Sequence, residues 1–291
     1  MRVKIWGARG SIPAPGPETM RYGGNTSCVE LTLSDGSTLI LDAGTGIRNL
    51  GLALGTVSTP LNILLTHLHL DHIQGLMFFA PAFRRQCDIT VWGPASSDVT
   101  LCERIARYIS APLAPVDVRE LPITFRDAEP VEWKIGSATV RAQPVNHRGP
   151  TLGYRIEDAG TSVCYIPDHE PGVGTPLAEL ADEWVSGLEL ARDASLLIHD
   201  CQYTDGEYRE HVGWGHCPVA DALEFAARAR ARRVLLFHHD PLHSDDFLDV
   251  VCGQVIGRWS ELGGRPESIE LATERRELVM SAPAPHAAAA S

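Results

Sequence analysis

Residues 61–75 read Leu-Asn-Ile-Leu-Leu-Thr-His-Leu-His-Leu-Asp-His-Ile-Gln-Gly, a short apolar run followed by four potential metal ligands. The apolar part predicts a buried strand over residues 62–65. The polar cluster should then project from the carboxyl edge of a sheet. Its members are His67, His69, Asp71 and His72. Burying such groups without partners costs about 1–3 kcal/mol each, so the cluster requires a cation or a dense hydrogen-bond network.

The spacing within this cluster indicates two metal positions rather than one. Side chains alternate along extended backbone, which places His67 and His69 on the same side. Asp71 and His72 fall at the start of a helix predicted for residues 72–79, and they should point to a second position nearby. A single histidine is usually an ordinary core or surface residue, but four ligand-type residues within six positions are not explained in this way.

The pattern His-x-His-x-Asp-His, preceded by an apolar strand and Thr66, resembles the signature of the metallo-β-lactamase-fold hydrolases. Asn25 and the segment 41–46, which reads Leu-Asp-Ala-Gly-Thr-Gly, resemble the start of the ribonuclease Z and phosphodiesterase branch of that family. The resemblance covers about residues 2–280. It implies a metal-dependent hydrolase.

Three later apolar strands, predicted near residues 138–145, 162–166 and 234–237, also end in ligand-type residues. The family resemblance implies that His67, His69 and His147 hold a first metal. It likewise implies that Asp71, His72 and His238 hold a second. Asp168 would bridge them, and His239 remains an alternative to His238. The implied cofactors are two Zn²⁺ ions, although Mn²⁺ or iron would also suit these donors, and a metal-bridged hydroxide would be the nucleophile.

Strands and helices alternate in two comparable halves, and both halves carry ligands at strand ends. This arrangement predicts an α/β (α+β) fold, a four-layer αββα sandwich. We expect residues 1–280 to form one domain. Residues 281–291 have the composition of a disordered tail.

The composition limits the classes of partner. A formal net charge of −12 argues against a broad nucleic-acid-binding face, but it is compatible with a small anionic substrate held by metal. The seven cysteines form no Cys-x-x-Cys pair, as expected for reduced cytoplasmic thiols. No apolar targeting segment or membrane-length run is present, so we expect a soluble cytoplasmic protein that makes no membrane contact. A homodimer is compatible with the sequence.

Two further segments resemble the phosphodiesterase and ribonuclease Z pattern. They are residues 196–200, which end in His199-Asp200, and the pair Gly215-His216 before a predicted helix. The resemblance implies that His216 protonates the departing alkoxide and that Asp200 orients it, while Asp71 or Asp168 steers the nucleophile. The alternative is that His216 only caps the helix.

The substrate class follows from a departure from the family pattern. Ribonuclease Z carries a long tRNA-gripping arm between its third histidine and its bridging aspartate, whereas here only residues 148–167 lie between His147 and Asp168. We therefore expect a hydrolase of small phosphodiesters, such as a cyclic nucleotide, and no processing of tRNA. The alternatives are a lactonase or β-lactamase-like hydrolase and a non-catalytic metal-binding or sensor protein.

Overall fold

The computed structural model describes residues 1–55, 59–128 and 131–282. Two seven-stranded mixed sheets form its centre, and the first is built mainly from the amino-terminal half. Its strands in spatial order are β14 (Glu277–Val279), β1 (Arg2–Gly7), β2 (Cys28–Thr32), β3 (Thr38–Leu41), β4 (Leu61–Leu64), β5 (Ile89–Pro94) and β6 (Ile123–Ala128). From β3 to β6 neighbouring strands run parallel.

The second sheet repeats this plan with the later strands. In spatial order they are β13 (Ile269–Leu271), β12 (Val234–Phe237), β11 (Leu196–Asp200), β10 (Thr161–Ile166), β9 (Leu152–Asp158), β8 (Ala138–Pro144) and β7 (Glu132–Ile135). Strands β10 to β13 run parallel, whereas β7 to β10 pair antiparallel. Parallel strands covered on both faces are apolar throughout, and all four residues of β12 are buried.

The helices cover the outer faces of the two sheets. They are α1 (Gly46–Leu54), α2 (Leu70–Ile73), α3 (Leu101–Ala106), α4 (Leu188–Ala191), α5 (Asp205–Tyr208), α6 (Val219–Arg228) and α7 (Asp245–Glu261). One apolar cluster joins the facing sheets, with Ile5 and Leu39 from the first and Tyr154 and Val163 from the second. Separate clusters join α6 and α7 to the second sheet, and α1 and α3 to the first. The predicted four-layer αββα architecture is confirmed.

The helix predicted for residues 72–79 is wrong in its bounds. Helix α2 starts at Leu70 and ends at Ile73, and a 3₁₀ turn at Leu76–Phe78 follows it. Gly75 explains the break, because its N–H donates to Ala43 O at 2.9 Å and a Cβ there would lie 2.0 Å from Gly44 O. Asp71 and His72 therefore lie inside the first turn of a short helix.

Two further expectations concern a membrane-spanning segment and a disordered tail. Within the described ranges, no helix is both long enough and apolar enough to span a bilayer. The tail predicted to be disordered comprises residues 281–291. Positions 283–291 of it lie outside the described residues. The single domain over residues 1–280 stays a prediction.

Candidate metal centre

The predicted ligands gather in two groups at the loops that follow strands β4, β8, β10 and β12. In each group, one ligand atom per residue lies within 4.8 Å of the others. The first group contains His67, His69, His147 and Asp168, and the second contains Asp71, His72, Asp168 and His238. Asp168 belongs to both, which is the place that a bridging ligand would take.

Unpartnered buried atoms test whether these groups fit metal ions. Among the described residues, His67 Nε2, His72 Nε2 and Asp168 Oδ1 are buried and make no hydrogen bond. His72 Nε2 lies 3.0 Å from Asp168 Oδ1 but without hydrogen-bond geometry. Such atoms are costly in a protein interior unless something coordinates them. Imidazole nitrogens with a carboxylate oxygen are donors that zinc accepts, so the residues present fit a metal site.

The electrostatics of the two groups agree with this fit. Burial lowers the pKa of His67 well below its ordinary value, and burial likewise lowers the pKa of His147. Neutral imidazole is the form that coordinates metal. Burial also opposes charge on His72, but the carboxylates of Asp168 and Asp71 outweigh it and raise the pKa of His72 well above normal. The second group therefore has a strongly negative surrounding that would favour a cation.

Asp42, at the end of β3, orients His72. His72 Nδ1 donates to Asp42 Oδ2 at 2.8 Å, which leaves His72 Nε2 to face Asp168. The same carboxylate accepts the Thr66 N–H at 2.8 Å and the Tyr165 hydroxyl at 2.9 Å. Partners of this kind fix the tautomer and ring orientation of a coordinating histidine. Asp42 lies in the segment 41–46 that carries part of the family resemblance, but we assigned it no role from the sequence, although it directly follows a strand at the same sheet edge.

His147 is oriented by the backbone that precedes His216. Its Nδ1 donates to Gly215 O at 2.7 Å, so its Nε2 faces the first group. Gly215 has φ +94, and a Cβ there would lie 2.4 Å from His147 Nδ1. Only glycine permits this close approach in that conformation.

The structure separates the adjacent histidines 238 and 239. His238 Nε2 lies 3.2 Å from Asp71 Oδ2 and 3.3 Å from Asp168 Oδ2, while its Nδ1 donates to Gln202 Oε1 at 3.0 Å. His239 turns away and donates from Nε2 to Ala272 O at 2.8 Å, and burial lowers its pKa to about 3. His238, and not His239, lies in the second group.

Residues near the amino terminus complete the surroundings of His238 and Asp71, and no pattern in the sequence predicted this role for them. Gly10 packs against the ring of His238, where a Cβ would lie 2.4 Å from Nδ1. The Ser11 N–H donates to Asp71 Oδ2 at 2.9 Å. Gln202 Nε2 donates to Ser11 Oγ at 3.3 Å, so one side chain links this loop to His238.

His216 lies beside both groups and is held by Asp200. Its Nδ1 is 2.6 Å from Asp200 Oδ2, and its ring stacks on His238 with 4.8 Å between centroids. The ring also meets His147 edge-on at 5.0 Å. Pro218 takes the N-cap position of α6 without a side-chain capping bond, so the geometry does not favour the alternative that His216 caps the helix.

Asp200, His216 and His238 form a third cluster of ligand-type atoms. The Asp200 carboxylate, however, already accepts the backbone N–H groups of His169 at 3.1 Å, Gln202 at 3.0 Å and Cys217 at 3.3 Å. A carboxylate so fully hydrogen-bonded is better suited to orient His216 than to bind an ion. The cluster therefore has the chemistry of a positioned imidazole.

A family model of the beta-lactamase superfamily domain matches residues 37–239. Ribonuclease Z of Mycobacterium sp. (strain KMS) is 29% identical over 256 residues, covering 78% of this chain and 81% of that protein.

Among solved structures, the short form of human tRNase Z aligns with a TM-score of 0.66 and 20% identity, covering 98% of this chain and all of that one. A diphosphatase of the PhnP family aligns with a TM-score of 0.67 and 17% identity, covering 97% of this chain and 98% of that one. These likenesses show the shared fold.

The family match spans most of the chain and includes every predicted ligand from His67 to His238. The family and the enzyme class expected from the sequence are confirmed. The chain therefore belongs to the beta-lactamase superfamily, as a metal-dependent hydrolase with the metallo-β-lactamase fold.

Proposed function

We propose that this protein hydrolyses small phosphodiesters, such as a cyclic nucleotide, with two divalent metal ions, preferably zinc. The observation that carries the proposal is the His216–Asp200 pair, placed beside two ligand groups that share Asp168. An alkoxide leaving group needs a proton, whereas a site with metal ligands alone has no dedicated residue to supply it.

The residues that would hold the ions are those of the two groups. His67, His69 and His147 would hold one ion, Asp71, His72 and His238 the other, and Asp168 would contact both. When bound, the ions would supply a coordinated water of lowered pKa and polarise a phosphoryl oxygen. Asp71 and Asp168 are the carboxylates placed to orient the attacking water.

His216 is the residue placed to protonate the leaving oxygen. Asp200 accepts the hydrogen bond from His216 Nδ1, so the catalytic proton would be carried on Nε2. Glu170 fixes the preceding loop, since it accepts the N–H groups of Gly213 at 2.7 Å and Gly215 at 2.8 Å.

The proposal of a small substrate rests on the segment between His147 and Asp168. Strands β9 and β10 pair over most of it and leave a short loop at 148–151 and a tight turn at 159–160. A tRNA-gripping arm has no place there. The net charge of −12 also disfavours a large polyanion. We therefore propose phosphodiester hydrolysis for this chain and not the tRNA processing that its ribonuclease Z relatives are named for.

One parallel assay tests this proposal. Purified protein loaded with Zn²⁺ or Mn²⁺ is given bis(p-nitrophenyl) phosphate, a cyclic nucleotide, a lactone, nitrocefin and precursor tRNA, and bound metal is counted by elemental analysis. We expect two ions per chain and turnover of the phosphodiesters. Lactone or nitrocefin turnover far above phosphodiester turnover, efficient trimming of tRNA, or a chain that never holds more than one ion would overturn it.

A further inference from the structure

A cavity of about 520 Å³ lies next to the first ligand group, and the proposed chemistry uses only His67 and His69 of the residues that line it. Its polar lining consists of His67, His69, Ser96, Ser97, Arg104 and Arg148. Two arginines and no carboxylate line this space among the described residues. In a chain with a formal charge of −12, such a cavity is a local positive site that can hold an anion.

Arg148 is the better placed of the two arginines. It directly follows His147, and its Nε donates to Gly213 O at 2.8 Å. This bond holds the guanidinium against the loop that leads to His216. Among the described residues no carboxylate pairs with Arg148, so its two terminal amino groups can bind a ligand. A guanidinium presents these donors in a planar fork that matches phosphate oxygens.

Arg104 reaches the cavity from α3. Its side chain is only 14% exposed, and its Nε is buried without a partner among the described residues. One amino group bonds to Pro94 O and lies 3.4 Å from Asp127 Oδ1, so part of its charge is balanced. Arg104 therefore supports the positive potential, while Arg148 supplies the direct contact.

We infer that this cavity binds a second, non-reacting phosphate of the substrate and that Arg148 is its principal ligand. The inference rests on the proposed function and narrows it to phosphodiesters that carry a pendant phosphate monoester. A monoester phosphate presents three acceptor oxygens, which the Arg148 fork and the Ser96 hydroxyl can share. The cavity adjoins His67 and His69, so the reacting phosphodiester and the pendant phosphate can be held at the same time.

Two nucleotide esters that differ only in this group provide the test. Thymidine 5′-(p-nitrophenyl phosphate) has the reacting diester alone, and its 3′-phosphorylated form adds the pendant phosphate. Both release p-nitrophenolate. We expect the metal-loaded protein to have a KM lower by about 10- to 100-fold for the 3′-phosphorylated ester, the usual strength of a charge-assisted hydrogen-bond pair.

The variant Arg148→Gln should remove most of this preference, measured as the ratio of the KM values for the two esters. Arg148→Lys keeps the charge but not the fork, so it should give an intermediate KM. Arg48→Gln is the matched control, because it removes the same charge from an exposed residue of α1 that does not line the cavity. Its kinetics should equal those of the natural protein.

Calorimetry separates a failure of this inference from a failure of the proposed function. Thymidine 3′,5′-bisphosphate should bind the metal-loaded protein at least about tenfold more tightly than thymidine 5′-monophosphate, and Arg148→Gln should abolish the difference. If neither ester is cleaved but this difference is found, the phosphodiesterase proposal fails and the anion site stands. Equal binding of the two nucleotides, a preference that survives Arg148→Gln, or a fall in kcat that is equal for both esters would overturn the inference.

Discussion

Two histidine–carboxylate pairs lie within the same centre, and they have nearly the same geometry. His72 Nδ1 is 2.8 Å from Asp42, and His216 Nδ1 is 2.6 Å from Asp200. The pairs differ in what the other ring nitrogen faces. His72 Nε2 is fully buried among carboxylates without a hydrogen bond, whereas His216 belongs to neither of the groups that share Asp168. In the proposed function, one arrangement therefore serves two chemical purposes, metal binding and proton donation.

Removing each imidazole should separate these purposes most sharply. His72→Ala deletes a ligand, so we expect loss of one ion and a fall in kcat/KM of at least about 10³-fold on every substrate, since a bound metal stabilises the transition state by several kcal/mol. Elemental analysis and kinetics on the same sample measure both effects. If His72→Ala keeps both ions and most of its activity, the assignment of His72 as a ligand is wrong.

His216→Ala should instead leave the metal content unchanged. We expect hydrolysis of a diester with an alkoxide leaving group to slow by about 10²- to 10⁴-fold, the usual contribution of a positioned general acid. Bis(p-nitrophenyl) phosphate should be affected much less, because p-nitrophenolate needs little protonation. Equal losses on both substrates, or loss of metal, would show that His216 is not the acid.

Substitution of Asp42 and of Asp200 should separate metal binding from proton donation in the same way, but with smaller effects. Asp42→Asn should lower metal affinity by about 10- to 100-fold, as expected when the partner that orients a ligand is changed. Asp200→Asn should leave the affinity unchanged and reproduce part of the His216→Ala defect. Competition with a chromophoric chelator measures the affinity. Tyr165→Phe is a control, because it removes a different hydrogen bond to Asp42. If Asp200→Asn loses metal as readily as Asp42→Asn, the His216–Asp200 pair does not differ in function from the His72–Asp42 pair.

Asp221 on α6 shows what happens to a half-buried carboxyl without an imidazole partner. Burial, with smaller contributions from Asp205 and Glu224, raises its pKa from 3.8 to about 6. The folded state therefore binds this proton more tightly than the unfolded state does. Ionisation destabilises the fold, and the penalty is absent below pH 3.8 and complete above about 6.

Asp221→Asn should accordingly stabilise the protein at pH 8 by about 1 kcal/mol, after allowance for solvent screening, and have little effect near pH 4. Urea denaturation of the natural protein and the variant at both pH values measures the difference. If the free energy of unfolding rises by the same amount at both pH values, ionisation of Asp221 is not the cause of the stabilisation.

The sequence predicted the residues at the strand ends because parallel strands deliver their carboxyl ends to one edge, and the family motif supplied the order of the ligands. It could not predict which partners orient them. The choice of Asp42 for His72 and of Gln202 for His238 depends on side-chain directions across residues far apart in the chain. The pattern also could not separate His238 from His239, since that choice depends on a positive φ of 64° at His238 and on the position of Ala272 O.

Helix α2 illustrates the same limit for the fold. Its apolar pattern continued to residue 79, but contact between Gly75 and the backbone at Gly44 ends the regular helix at Ile73. A contact between such distant parts of the chain cannot be recognised in the local sequence, except through the glycine itself.

The contacts of Gly10 and Ser11 with His238 and Asp71 have a consequence for how the protein matures. The ribosome makes Gly10 early, yet His238, the ring against which it packs, emerges only after more than two hundred further residues. Strand β1 likewise cannot pair with β14, where Arg2 lies opposite Val279, until residues 277–279 have been made. The full set of donors cannot exist on a nascent chain that ends before His238. In the proposed function, loading with both ions would therefore follow the synthesis of His238, and a polypeptide stalled in translation before that residue would expose its first histidines without the residues that complete the centre.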